Sequence, residues 1–154
     1  MTTENIVPLI IKIPAKILSN SELSLNDKLI LGLDYAFSLK SGNNTLNHKQ
    51  VSERLNLHSN IVGESRKNMI LMGYLSKVKQ TYFLTSKFEE FSTIIDDERT
   101  IYIPFEIYSH PKLRTGEKLL WGEYNSFSKG ENFYFASREY TAKRLNVSKE
   151  SITN

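Results

Sequence analysis

Five residues between Ser59 and Lys67 have side chains and spacing suited to contacts with nucleic-acid bases. They form the polar row of a predicted helix whose other face is apolar: Ser59, Asn60, Gly63, Glu64 and Lys67. Asn60 could pair with adenine, Lys67 could bind guanine or a phosphate, and Glu64 could accept a hydrogen bond from cytosine. Gly63 costs about 1 kcal/mol inside a helix, which would be offset if it let the backbone approach a base edge. The simpler alternatives are a solvated polar face and an incidental glycine.

Lysines in a predicted hairpin form a second group of candidate contacts. Lys77 and Lys79, with Gln80 near the tip, would meet a phosphate or the minor groove. Each phosphate neutralised in this way releases a counterion, which makes binding dependent on salt. The alternative is that lysines on an edge strand oppose aggregation between sheets. His48 and Lys49, at the start of a preceding helix, are further candidates for contact with the backbone.

Capping and turn residues predict the elements that would position these side chains. Asn47 and Gln50 have the spacing of a capping box, which opens a short helix. A three-residue turn leads to a second helix, capped by Ser59 or His58 and ending before Gly73. Two short helices joined by a tight turn form a helix-turn-helix unit, and the lysine-bearing hairpin would be its wing.

The apolar residues of the second helix predict a face in the core and, beyond it, a contact with another part of the chain or another molecule. Four of its residues are predicted to face the core: Val62, Ser65, Met69 and Met72. The apolar run continues through Ile70 and Leu71, although one helix cannot bury its whole circumference against a small core. We therefore expect Ile70 or Leu71 to pack against the second half of the chain, the linker or another chain.

An internal repeat with a period of 90 residues organises the chain. The segments that begin at Ile11 and Ile101 align without a gap, and the same register reaches Arg54-Leu55-Asn56 and Arg144-Leu145-Asn146. Identical pairs include Pro14 with Pro104, Lys28 with Lys118, Leu29 with Leu119, and Gly32 with Gly122. One register held over this length indicates a duplicated module.

Each module is predicted to open with an Ile-Pro strand and to continue into a helix. The first helix would run from about Asn26 to Leu39, with Ser24 or Asn26 as its cap. Its counterpart would run from about Gly116 to Ser128, with Thr115 as its cap. Each helix is predicted to have an apolar inner face: Leu29, Ile30, Leu33 and Phe37 in the first, and Leu119, Leu120, Tyr124 and Phe127 in the second. Aromatic residues of the second module are expected mostly in the core: Tyr102, Phe105, Tyr108, Trp121, Tyr124, Phe133 and Phe135.

Two domains and a linker follow from this pattern: a first module at residues 1–85, an acidic linker at 86–99, and an incomplete second module at 100–154. The counterpart of residues 65–85 is absent from the second module. A fragment of a longer chain, completion by a partner chain, and a docking role for a degenerate copy all remain open. Lys143 and Lys149 are the second module's candidate DNA contacts, and Trp121, which lies off the main apolar stripe, is a candidate interface anchor.

The run from Leu55 to Leu75 resembles the recognition segment of winged-helix DNA-binding domains in bacterial regulators and in phage or plasmid replication initiators. In that family a leucine-glycine-valine-serine turn leads into the recognition helix, which ends in a glycine followed by apolar residues. This chain has Asn56 in place of the glycine and Arg66 in place of the usual leucine. In the second copy, IPFEI, LRTGEKLLW and FYFAS are similar to the N-terminal winged helix of such initiators.

Composition bounds the function. The chain has 154 residues, no cysteine, 40% hydrophobic residues and a net charge of +3. Residues 1–85 carry +4, residues 86–99 carry −3 and residues 100–154 carry +2, so the linker is not expected to face a phosphate backbone. The three histidines show no metal-ligand spacing, and no phosphate-binding glycine loop or nucleophile elbow occurs. We expect neither an enzyme nor a cofactor, metal or small-molecule substrate.

The sequence therefore predicts a mainly α protein with small β wings (α+β), a tandem winged helix-turn-helix whose second copy is truncated. The resemblance implies binding of double-stranded DNA in replication initiation or transcription regulation of a phage, plasmid or other mobile element. The alternative is a module that binds a partner protein, or a second copy of itself, instead of DNA. No run is long enough to span a membrane, and the expected compartment is the bacterial cytoplasm.

Overall fold

The computed structural model describes residues 9–92 and 100–128. Within these ranges the chain is α+β, with seven helices and two small antiparallel sheets. The elements in chain order are β1 (Ile11–Ile13), α1 (Ala15–Leu18), α2 (Leu25–Ser41), α3 (His48–Leu55), α4 (Ser59–Leu71), β2 (Leu75–Val78), β3 (Thr81–Leu84), α5 (Ser86–Ser92), β4 (Ile101–Ile103), α6 (Phe105–Tyr108) and α7 (Thr115–Ser128). No helix of these ranges is both long enough and apolar enough to cross a membrane.

The first sheet joins the two repeats. β1 and β4 pair antiparallel, with Ile11 opposite Ile103 and Ile13 opposite Ile101. Because Ile101 and Ile103 are the repeat counterparts of Ile11 and Ile13, each strand meets its own equivalent running in the reverse direction. The paired strands are therefore related by an approximate two-fold axis, as at the interface of a symmetric dimer.

A glycine shared by the two repeats allows each long helix to lie against its own strand. A Cβ atom at Gly32 would come within 2.7 Å of side-chain carbons of both Ile11 and Ile13. A Cβ atom at Gly122 would come within 2.9 Å of Ile101 and 3.1 Å of Ile103. The identity of these glycines therefore has a packing cause, the close approach of α2 to β1 and of α7 to β4.

One hydrophobic core includes residues of both repeats. Ile101, Ile103, Tyr108 and Leu119 belong to the same buried cluster as the apolar residues of β1 and α2. Every residue of α2 from 27 to 34 is buried, since β1, α4 and α7 all pack on this helix. The predicted apolar stripe thus describes only part of its buried surface, and Phe37 at the end of the stripe is half-buried.

Several predicted caps are present in the structure. Ser24 and Asp27 form a capping box at the start of α2, and Asn47 and Gln50 form one at the start of α3. Gly73, just after α4, has the predicted left-handed conformation with φ of 90°.

At two other helix starts the cap differs from the residue first expected. His58 caps α4, because its ring nitrogen Nδ1 accepts a hydrogen bond from the Asn60 N–H. Ser59 is the first residue of the helix. The Arg114 N–H donates to the Glu117 carboxylate (2.7 Å), so Arg114 occupies the position before α7. Thr115, predicted as that cap, instead donates its hydroxyl to Asn26 of the first repeat (2.5 Å).

Two short helices and one longer helix were not predicted. α1 and α6 follow Pro14 and Pro104, whose carbonyls accept the first helical hydrogen bonds. α5 occupies the beginning of the predicted linker, where Phe88 is buried and its ring centroid lies 5.0 Å from that of Tyr35. The linker thus begins as a helix packed on the first repeat, and Ile94, among its other apolar residues, lies outside the described ranges.

The expectation of a mostly buried aromatic cluster is wrong for three residues. Tyr102, Phe105 and Tyr124 are exposed, whereas Tyr108 is buried. Tyr102 points away from the core because strand side chains alternate and its neighbours Ile101 and Ile103 point inward. Tyr124 is five residues beyond the buried Leu119, and the helical rotation of about 100° per residue turns it to another face. Phe133 and Phe135 lie outside the described ranges.

Candidate nucleic-acid interface

The turn between α3 and α4 depends on an asparagine in a left-handed conformation. Asn56 has φ of 56° and ψ of 47° and ends α3, with its N–H donating to the Ser52 carbonyl. Asparagine tolerates this conformation better than other residues with a Cβ, so it can occupy the position of the family's glycine. Its side-chain amide also donates to the Ser109 carbonyl of the second repeat (2.5 Å).

The outward face of α4 carries most of the predicted base-contacting side chains. Ser59, Asn60, Glu64 and Lys67 are all exposed. Positions 60, 64, 67 and 71 follow helical spacing of three and four, so these residues form one stripe along the helix. The inner face agrees with the prediction: Val62, Ser65 and Met69 are buried, and Met72 is half-buried.

Gly63 lies where α4 approaches α3. A Cβ atom at this position would lie 3.2 Å from Nδ1 of His48. The structure therefore gives Gly63 a role in helix packing, because a larger residue would push the His48 ring aside. Both residues are half-buried, in contrast to the exposed stripe of α4.

The β2–β3 hairpin has its lysines on the surface. Lys77, Lys79 and Gln80 are exposed, and Lys79 adopts a left-handed conformation with φ of 57° in the two-residue turn. The hairpin is attached to the loop before α3, where Asn44 and Tyr82 exchange two backbone hydrogen bonds of 2.9 Å. Its orientation relative to α3 and α4 is therefore set by main-chain pairing.

A buried charged group lies behind the hairpin and α4. Arg66 is 1% exposed, donates from Nη1 to the Leu46 carbonyl (2.8 Å), and has Nη2 4.0 Å from Asp34 Oδ1. Its guanidinium carbon lies 3.8 Å from the centroid of the Tyr82 ring. Burial raises the pKa of Asp34 to about 6, and this rise is opposed by Arg66 and then by the hydrogen bond from Asn44. The residue that departs from the family pattern is thus part of the core.

His48 connects this group to the surface. Its Nε2 lies 3.1 Å from the hydroxyl of Tyr82. Partial burial lowers the pKa of His48, and the charges of Arg66 and Lys77 lower it further. The imidazole is therefore neutral at pH 7, and it is surrounded by positive charge.

A groove separates α4 from the β2–β3 hairpin, and we call it the α4–hairpin groove. Its volume is about 220 Å³. Its lining consists of the polar residues His48, Arg66, Lys67, Lys77 and Tyr82 together with Gly63, Ile70 and Leu71 of α4. Lys67 of the exposed α4 stripe and Lys77 of the hairpin consequently border the same opening.

The burial of two lysines, Lys118 and Lys28, was not predicted from the sequence. Lys118 on α7 donates from Nζ to the Leu55 carbonyl at the end of α3 (2.6 Å), which links the second repeat to the α3–α4 turn. Burial lowers the pKa of Lys118 to about 8 and that of its counterpart Lys28 also to about 8. The sequence does contain an indication of this burial, because both repeats have a lysine at the same position of their first long helix.

The other residues predicted to contact DNA or a partner differ in their exposure. Lys49 is exposed on α3. Ile70 is 38% exposed and Leu71 75% exposed, so the described part of the chain leaves both accessible. Trp121 is half-buried on α7. Lys143 and Lys149 lie outside the described ranges.

Within residues 9–92 and 100–128, no group of three or more acidic or histidine side chains could hold a metal ion. Comparison of the chain with protein-family models, with curated proteins and with solved structures finds no match.

Proposed function

We propose that this protein binds double-stranded DNA through α4 and the β2–β3 hairpin, as a tandem winged helix-turn-helix protein. The observation that supports this proposal most strongly is the shared side of the two candidate surfaces. Lys67, on the exposed stripe of α4 that also carries Asn60 and Glu64, borders the same groove as Lys77 of the hairpin. A polar helix beside a cationic hairpin suits simultaneous contact with base edges and with the adjacent backbone.

In the proposed complex α4 enters the major groove. Asn60 and Glu64 would offer hydrogen bonds to base edges, and Lys67 would bind a guanine or a phosphate. Lys77 and Lys79 would contact the sugar-phosphate backbone beside the groove, which contributes affinity without sequence preference. Lys49 at the start of α3 is a further candidate for backbone contact.

The relation between the repeats bears on the form of the DNA site. Because β1 and β4 pair by an approximate two-fold axis, equivalent surfaces of two such repeats would run in opposite directions. A second contact surface, including Lys143 and Lys149, would then recognise an inverted half-site and lengthen the target. The resemblance to initiators and phage regulators favours a role in replication initiation or transcription regulation of a mobile element in the bacterial cytoplasm.

A mixed pool of duplexes at several salt concentrations tests the proposal. We expect retention of duplex at about 50 mM salt and a steep loss of affinity toward about 200 mM. Lys67→Glu and Lys79→Glu should weaken binding and lower the slope of affinity against salt, whereas Lys16→Glu, an exposed lysine of α1, should have a much smaller effect. Unchanged affinity in both of the first two variants would contradict the proposal.

One observation favours a protein partner as the second candidate. Leu71 is 75% exposed and Ile70 is 38% exposed, side by side near the end of α4. Exposed apolar residues at this position suit contact with another protein or with a second copy of the chain. If no duplex is retained at about 50 mM salt, and if the chain self-associates in sedimentation experiments unless Leu71 is replaced by serine, this second function would be favoured.

A further inference from the structure

The α4–hairpin groove has a lysine on each of two walls, beside the apolar side chains of Ile70 and Leu71. Lys67 stands on the helix side and Lys77 on the hairpin side, and both side chains are exposed. Within the described ranges, neither lysine has a carboxylate within salt-bridge distance. No aspartate or glutamate lines the groove.

A third cation lies at the base of the groove. Arg66 is 1% exposed and lines the groove, yet its Nε and Nη2 atoms have no hydrogen-bond partner. Buried guanidinium donors normally have partners, since leaving them unpaired is costly. The carboxylate of Asp34, 4.0 Å from Nη2, partly offsets the Arg66 charge, but Asp34 is buried and does not line the groove. The potential at the open side of the groove is therefore positive.

The groove also has neutral hydrogen-bonding groups. The His48 ring and the Tyr82 hydroxyl lie 3.1 Å apart in its lining and can rearrange their shared proton to serve an acceptor. Lys77 Nζ lies 5.4 Å from the centre of the Tyr82 ring, which positions its ammonium group over the groove wall. At about 220 Å³ the space is below the roughly 300–1,000 Å³ of sites for drug-sized ligands, and it suits a single small group.

We propose that the α4–hairpin groove is a phosphate-binding site that holds one phosphodiester group of the DNA strand between Lys67 and Lys77. This inference rests on the proposed DNA-binding function and specifies one contact of it. The bound phosphate would fix α4 relative to the strand that the hairpin follows, because the two lysines approach it from different elements. Tetrahedral oxyanions share this chemistry, so free inorganic phosphate is the simplest probe of the site.

The first experiment uses a duplex selected from a random pool and ethylated at single backbone phosphates. One ethylated position should abolish binding of the unmodified protein, and the same position should lose its effect in Lys77→Gln. Lys67→Gln and Lys77→Gln should each lower affinity about three- to tenfold and reduce the salt slope by about 1. Lys40→Gln removes the same charge from the exposed end of α2 and should leave the interference pattern unchanged.

The second experiment measures binding of inorganic phosphate by nuclear magnetic resonance, with chloride at equal ionic strength as the reference. Phosphate should shift the resonances of His48 and raise its pKa, and the double variant Lys67→Gln/Lys77→Gln should abolish both effects. The Lys40→Gln protein should respond as the unmodified protein does.

The outcomes separate the two proposals. Duplex binding with an interference pattern that Lys77→Gln leaves unchanged would overturn the phosphate site while leaving DNA binding intact. Phosphate binding in the groove without retention of any duplex would support the anion site and refute the DNA function. Failure of the groove to respond either to phosphate or to ethylated duplex would overturn the inference.

Discussion

Replacing Arg66 by methionine is predicted to lower the free energy of unfolding by about 3 kcal/mol. The substitution keeps an unbranched apolar stem but removes the charge that faces Asp34. It also removes the donor to the Leu46 carbonyl at 2.8 Å and the cation over the Tyr82 ring at 3.8 Å.

The magnitude results from opposing contributions. A hydrogen bond from a charged donor contributes about 1.5–3 kcal/mol, and a cation over an aromatic ring about 0.5–2 kcal/mol. The attraction between unit charges 4 Å apart is about 4 kcal/mol at an effective dielectric constant of about 20. Against these gains, the buried guanidinium loses hydration worth several kcal/mol, so the net loss is near the lower end of the range of about 3–5 kcal/mol for breaking a buried pair.

A double-mutant cycle with Asp34→Asn makes the reasoning testable by urea unfolding. Each single variant leaves one uncompensated buried charge, whereas Arg66→Met/Asp34→Asn leaves none. We expect the double variant to be more stable than the sum of the single effects predicts, with a coupling energy of about 2 kcal/mol. A cost of Arg66→Met below about 1 kcal/mol, or additive effects of the two substitutions, would refute this account of the pair.

The pH dependence supplies an independent check. Because the folded-state pKa of Asp34 is raised to about 6 from 3.8, the folded chain holds a proton that the unfolded chain has released. This residue therefore stabilises the fold at low pH, and its contribution falls as pH rises from about 4 to about 6. Without Arg66 the pKa of Asp34 rises further, so the deficit of Arg66→Met should be smaller at about pH 5 than at about pH 7.5.

Four further predictions concern packing, titration, the hairpin and the DNA site. Gly32→Ala should lower the free energy of unfolding in urea by about 1–3 kcal/mol, because its Cβ atom would lie 2.7 Å from carbons of two isoleucines. Gly116→Ala should cause no such loss, since its Cβ atom would make only an ordinary contact at 3.4 Å. Stability should rise between about pH 8 and 9.5, because burial lowers the pKa values of Lys118 and Lys28 to about 8 and the unfolded chain binds more protons in this window. Lys118→Met should reduce that rise by about half, since Lys28 still contributes to it. Lys79→Gly should leave stability unchanged or raise it by up to about 1 kcal/mol, by relieving the left-handed residue, while it weakens duplex binding in a gel-shift assay. Duplexes selected from a random pool should contain inverted half-sites, and a direct repeat would contradict the two-fold arrangement.

Local features of the chain were predictable from residue types and spacing. The capping pair Asn47 and Gln50, the left-handed Gly73 and the inward set on α4 depend on neighbours within about four positions, which the sequence displays directly. The hairpin carrying Lys77 and Lys79 is predictable for the same reason. The exposed row from Ser59 to Lys67 is likewise a consequence of helical spacing.

The contacts between distant residues required the tertiary structure. The repeat was visible in the sequence, but nothing in it shows that β1 pairs with β4, because pairing depends on strands 90 residues apart. The burial of Arg66 against Asp34 and of Lys118 against Leu55 is hidden for the same reason, since charged residues on a helix are normally assigned to its solvent face. The sequence by itself thus determined the four longer helices α2, α3, α4 and α7, the capping boxes of α2 and α3, and the polar stripe of α4. The tertiary structure decided which charges are buried, how the repeats face each other, and that Lys67 and Lys77 enclose one groove, because each of these requires packing between elements that are remote along the chain.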